Sequence, residues 1–90
     1  MINRIYSISS AYPNTFNPAT NFQYEIPAYS MVDIYIYDIS GRVVEQLVSS
    51  YQSPGAYNIL WDASNHASEM YILFMKSNDF INSQKISLTK

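Results

Sequence analysis

Ninety residues with a net charge of −2 make one domain, and the five basic residues, Arg4, Arg42, Lys76, Lys85 and Lys90, are too scattered for a nucleic-acid footprint. The chain has no cysteine, which excludes disulfides, thiolate metal sites and cysteine nucleophiles. Folding must rest on apolar packing, for which 48% hydrophobic residues, nine tyrosines among them, supply the material.

The first element is the stretch AYPNTFNPATNFQYEIP, residues 11–27, which holds three of the four prolines. Pro13 and Pro18 fix φ and bias Tyr12 and Asn17 toward extended geometry. The Asn14 and Asn17 side chains are placed to cap local backbone groups, and Phe16 to plug into a sheet edge. A stiff, polar ribbon is therefore expected ahead of the first clear strand, Phe22 to Ile26, where apolar and polar residues alternate.

Met31 to Tyr37 alternates too, with Val32, Ile34 and Ile36 on one face and Asp33, Tyr35 and Tyr37 on the other. The second face offers an aromatic platform, although tyrosine in a strand more often reflects β-propensity. Asp38-Ile39-Ser40-Gly41 reads as a short turn, with Gly41 free to take positive φ, and Arg42 to Val48 as the partner strand of a hairpin. Val43, Val44, Leu47 and Val48 also fit a helical period, but β-branching and short length favour the strand.

Ser53-Pro54-Gly55 marks another turn, after which Tyr57, Ile59 and Trp61 share one face of a strand. Asp62 to Ser68 is polar and loop-like. Met70 to Lys76 is apolar on both faces, as expected of a central strand covered on both sides. Its longest apolar run, Met70 to Met75, falls far short of the ~20 residues of a membrane helix. Ser77-Asn78-Asp79 turns the chain again, and Gln84 to Thr89 alternates through Ile86 and Leu88. Seven short strands with turns between them predict an all-β sandwich or small barrel spanning residues 1–90 as a single domain. Trp61 and Tyr57 are expected in its core, beside Ile34, Ile36, Ile59 and Leu88.

Chemistry is hard to find. Asp62, Ser64 and His66 supply the three residue types of a hydrolytic triad, but residues two apart in an extended chain stand ~6.6–6.8 Å apart, beyond hydrogen-bond contact. Asp62, Asn65 and Glu69 are hard oxygen donors, yet their spacing does not match a calcium loop. With only Gly41 and Gly55, the chain has no glycine-rich phosphate loop. No catalytic residue, metal site or cofactor is expected.

Four segments together carry a family resemblance. Pro13-Asn14-Thr15-Phe16-Asn17-Pro18-Ala19-Thr20 resembles the PNPFNPxT opening of the C-terminal sorting domains of the type IX secretion system. Ile36-Tyr37-Asp38-Ile39-Ser40-Gly41-Arg42-Val43-Val44 is similar to that family's VYDxxGRxV hairpin. Gly55 to Ala63, with Trp61 and Asp62, and the closing Lys85 to Lys90 follow in the family's order. Three departures stand out: Thr15 for the second proline of PNP, Glu69 for the glycine of SGxY before Tyr71, and Gln84 for the first of two basic residues. A glutamate at the SGxY position implies a turn of another shape.

The resemblance implies a seven-stranded immunoglobulin-like antiparallel β-sandwich, forming the C-terminal part of a larger secreted protein. It implies a non-catalytic address that the outer-membrane type IX translocon recognises and a sortase-like peptidase then removes from the cargo upstream. The implied route runs through the periplasm to the cell surface or the extracellular space. Met1 to Arg4 leads into no apolar h-region, so an export signal is expected upstream in the parent. Under this reading the recognition candidates are Pro13, Asn14, Phe16, Asn17, Pro18, Lys85 and Lys90, and Tyr37, Asp38, Gly41, Arg42, Gly55, Trp61, Asp62 and Tyr71 are structural. A structural or carbohydrate- or protein-binding immunoglobulin-like module is the alternative, since the resemblance extends more weakly to the immunoglobulin-like domain of flagellar hook-capping proteins.

Overall fold

The computed structural model describes residues 6–9, 11, 15, 16 and 18–89, with Thr15 and Phe16 described by their backbone alone. They form β1 (Ser7–Ile8), β2 (Thr15–Phe16), β3 (Ala19–Ile26), β4 (Ser30–Asp38), β5 (Val43–Gln52), β6 (Gly55–Asp62), β7 (Met70–Ser77) and β8 (Phe80–Leu88). Two sheets result, a three-stranded one in the order β1-β3-β6 and a five-stranded one in the order β2-β8-β7-β4-β5. The architecture is an immunoglobulin-like β-sandwich. All pairings are antiparallel except β2 with β8.

The core lies between the sheets and follows the alternation of the sequence. Phe22, Tyr24 and Ile26 of β3 face Val32, Ile34 and Ile36 of β4 and Tyr71, Leu73 and Met75 of β7, all buried. Trp61 is buried with Ile34, Ile36 and Leu88 as expected. Tyr57 and Ile59 are only partly buried, because β6 is an edge strand and its inward side chains cover the core from the rim. The Tyr57 ring stacks on Tyr24 at 5.2 Å.

One expectation needs correcting. β7 is central, but only its Tyr71, Leu73, Met75 face is buried; Ile72 and Phe74 remain half-exposed on the other. The sandwich has two layers, and among the described residues nothing packs over the outer face of the five-stranded sheet.

The stretch with a helical period, 43–51, is a strand with two bulges. Pairing with β4 runs Ile34–Val48, Tyr35–Gln46, Ile36–Glu45 and Tyr37–Val43, so Leu47 and Val44 are the extra residues. Each bulge places two successive residues on one side of the strand, which is why the spacing mimics a helix. The first bulge also turns Glu45 onto the face of Ile36, toward the interior.

Each turn has a local cause. Asp38 Oδ1 accepts hydrogen bonds from Ser40 N (2.9 Å), Ser40 Oγ (2.6 Å) and Arg42 N (3.0 Å), while the Arg42 guanidinium stands 3.4 Å from Oδ2. Gly41 closes this turn at φ 90°, a left-handed conformation that favours glycine. Asn78, at φ 52°, does the same service in the β7–β8 turn. Asn78 is the one non-glycine residue with positive φ among the described residues, so Glu69 occupies ordinary backbone space.

Candidate functional site

The residues before β3 run along the side of the sandwich and belong to both sheets. Ser7 and Ile8 pair antiparallel with Glu25 and Tyr24 of the three-stranded sheet. Thr15 and Phe16 then pair parallel with Ser87 and Leu88 at the edge of the five-stranded sheet. Between these points Gln84 fastens the segment: its Nε2 donates to the Ser9 carbonyl (2.9 Å), and its Oε1 accepts from Ala11 N (2.7 Å). Farther back, Asn78 Nδ2 donates to the Tyr6 hydroxyl (2.6 Å), and the Tyr6 ring stacks on Phe80 at 5.8 Å. The edge of β8 is thus covered at several points by the segment that precedes β3.

This geometry joins two regions that the sequence presents at opposite ends of the chain. The proline–asparagine ribbon and the terminal strand are neighbours, because β2 lies against β8. Of the ribbon residues, Pro13, Asn14 and Asn17 lie outside the described residues, as does Lys90. Phe16 is placed by its pairing with Leu88. Pro18 is exposed, and its carbonyl accepts from Ala63 N at 2.8 Å, tying the ribbon to the loop after β6. Lys85 is exposed on the outer face of β8, opposite Ile72. Leu88 N donates to the Glu69 carbonyl (3.0 Å), so the end of the terminal strand is also held from the side of β7.

The structural residues sit where the hairpin and core need them. Tyr37 faces outward beside Phe74 in an edge-on contact of 5.8 Å. The Tyr35 and Tyr37 rings are also edge-on, at 67°, so they form no flat platform. Gly55 opens β6 opposite Ile26. The Tyr71 hydroxyl donates to the Ala67 carbonyl at 2.7 Å and pins the loop that leads into β7.

The acid, hydroxyl and imidazole of Asp62 to His66 are brought together differently from a triad. Asp62 Oδ1 accepts from both the amide and the hydroxyl of Ser64, and these bonds hold its carboxyl below the usual carboxylate range. His66 turns instead to Glu45, with Nε2 3.3 Å from Oε1. The same Glu45 oxygen accepts the Trp61 indole N–H at 3.2 Å. Trp61, His66 and Tyr71 form a ring cluster with centroids 5.3 to 6.1 Å apart. Among the described residues no group of three or more acidic or imidazole side chains converges as a metal site would require.

Gln84 and Glu45 are the residues that sequence reasoning missed. Gln84 had a signal: it shares its phase with the buried Ile86 and Leu88, and a polar group in an apolar phase needs a partner. Glu45 had none, because its inward orientation depends on a bulge.

Comparison with known families matches residues 10–89 to the secretion system C-terminal sorting domain. No curated protein matches the chain. The matched span begins beside the Gln84 clasp and runs through the terminal strand, taking in both the seam and the Asp38 hairpin. The chain belongs to the C-terminal sorting domains of the type IX secretion system, and it is a sorting signal for that machinery.

Proposed function

We propose that the β2–β8 seam is the surface by which this domain is read. The observation that carries the reading is the parallel pairing of Thr15 and Phe16 with Ser87 and Leu88, which gathers the ribbon and the terminal strand at one edge. The inward-facing apolar side chains of the sheets are consumed by the core, so recognition must use what the folded domain leaves outside. The residue types of the ribbon, Pro13, Asn14, Phe16, Asn17 and Pro18, restrict the chain locally and so lower the ordering cost on binding. Lys85 and Lys90 add cations for an acidic receptor groove.

In this reading residues 1–90 form one domain at the C-terminal end of a larger exported protein, whose upstream part is the cargo. The outer-membrane translocon of the type IX system binds the domain after the cargo has reached the periplasm, and a sortase-like peptidase separates the two. The domain itself is non-catalytic. That is supported by the use of Asp62 to order Ser64 and of His66 to meet Glu45.

The test is transport. Residues 1–90, fused behind a folded reporter with a cleavable N-terminal signal, should carry it from periplasm to surface in a type IX host. Lys85→Glu combined with Lys90→Glu should trap the reporter in the periplasm while the domain keeps its melting temperature, since exposed substitutions change stability by only ~0.5 kcal/mol. Wild-type domain that leaves the reporter in the periplasm of a host secreting its own cargo would sink the sorting reading for this chain.

A further inference from the structure

The outer face of the five-stranded sheet breaks the rule for a two-layer sandwich. Such a face should be polar along each strand. Here the register sets Ile72 beside Tyr37 and Phe74 beside Tyr35, all four half-exposed, and Met70 is 42% exposed at the end of the same strand. The apolar area is continuous with the seam, because Met70 pairs with Ser87 and Ile72 with Lys85, while Ser87 in turn pairs with Thr15 of β2.

We infer that this face is a second part of the receptor contact, docking an apolar protein surface that carries carboxylates. The inference rests on the sorting reading and extends its footprint from the edge of β8 across β7 to β4.

Charge sets the chemistry of the partner. Lys76 and Lys85 both stand exposed on this face. The carboxylate beside them, Asp33, already accepts bonds from Ser49 Oγ (2.9 Å) and the Tyr35 hydroxyl (3.3 Å). Arg42, by contrast, is taken up by Asp38 in the hairpin turn. Two lysines against one carboxylate leave the face with a small positive excess on a protein of net charge −2, which suits an acidic partner and penalises another cationic surface. A second copy placed face to face would bring the lysines of both copies into one interface. Tyr35, Tyr37 and Phe74 meet edge-on at 67° and 80°, so these three rings offer a saccharide no flat platform. Clefts between rings set edge-on accept aliphatic side chains instead.

The experiment uses the same reporter fusion with two variants that leave the seam intact. Ile72→Thr with Phe74→Thr keeps β-propensity and removes the apolar surface; Lys76→Glu reverses a charge without touching packing. With wild type delivered, the double variant should lower surface reporter at least tenfold and Lys76→Glu several-fold, with melting temperatures close to wild type. Delivery of both folded variants at the wild-type level would overturn the docking face and leave the sorting reading standing. If the double variant fails to fold, Lys76→Glu decides alone. Sedimentation that shows a wild-type dimer dissolved by the double variant would assign the face to self-association and overturn the proposal. Failure of wild type itself would sink both readings at once.

Discussion

The two edges of the five-stranded sheet are closed by different means. At the β5 edge, two bulges disturb the strand, and the first turns Glu45 inward to take the Trp61 indole N–H and face His66. At the β8 edge, the strand stays regular and is covered from outside by Tyr6 to Ser9, Ala11, Thr15 and Phe16, fastened by the Gln84 side chain and a two-residue parallel pairing. Both devices blunt an exposed edge. The difference lies in where the closing groups come from. A bulge is built into the strand itself, whereas the β8 edge is closed by a segment distant in sequence, which packs Tyr6, Ile8 and Ala11 against the core and adds a handful of hydrogen bonds. The edge that belongs to the proposed recognition site is the one closed from outside.

The largest break in that comparison comes from the core side of the β5 edge. Trp61→Ala should destabilise the domain by ~3–5 kcal/mol, which consumes much of the stability of a domain this small. Urea unfolding measures it, and an unchanged midpoint would show that Trp61 does not hold the two sheets together.

At the β8 edge the corresponding change is Gln84→Ala. It leaves the buried Ala11 N–H without its acceptor, so a loss of about 1–3 kcal/mol is expected. Gln84→Glu keeps the acceptor for Ala11 and loses the donor to Ser9, and should cost less. Hydrogen exchange should place the opening at Ile8, Ser9, Ala11, Thr15 and Phe16 and at the outer amides of β8, with the central strands β4 and β7 unaffected. Equal loosening throughout the sandwich would remove the distinction between the edges.

Acid should separate the edges further. Hydrogen bonds from Ser40, then from the Arg42 amide, hold the Asp38 carboxyl below the usual range. Its contribution is complete above the unfolded value of about 3.9 and fades as pH falls through the lower folded value. Amide protection at the β4–β5 hairpin should therefore decline at low pH in wild type, and that decline should flatten in Asp38→Asn. The Gln84 clasp contains no titrating group, so protection there should follow pH less steeply. A hairpin as pH-independent in wild type as in Asp38→Asn would count against this assignment.

The smallest effect is expected from His66→Ala. A partly exposed imidazole beside a carboxylate contributes about 0.2–1 kcal/mol. The variant should fold, and the reporter should still reach the surface. A folded His66→Ala domain that fails in transport would give this loop a role beyond structure.

These two edges also mark the limit of what the chain reveals when read as text. Alternation in β3 and β4 gave the buried faces correctly, because a single period of two acts at every residue from Phe22 to Ile26 and from Met31 to Tyr37. The Asp38 turn was equally plain, since its hydrogen bonds join residues two and four apart. Leu47 and Val44 interrupt the period of β5, so its inward residues were obscured and Glu45 was invisible as a partner of Trp61. The two halves of the seam are legible only as separate regions, for no local rule brings Phe16 to Leu88. In β7, apolar composition points to cover on both faces, because it reports the wish to be buried and not whether a third layer exists.

The Gln84 clasp also bears on how the chain comes to be folded. It links residues 73 and 75 positions apart, nearly the whole length of the domain. Closing so long a loop is entropically costly and slow compared with forming the β4–β5 or β7–β8 hairpins, whose partners are local. The side closure is therefore expected to form after these hairpins, and it requires β8 to be present. A chain interrupted before Gln84 still contains both early hairpin strands of β4 and β5, but has nothing to fasten the covering segment. Closure of this edge thereby reports that the chain has been made at least as far as Gln84, a check of synthesis by topology alone.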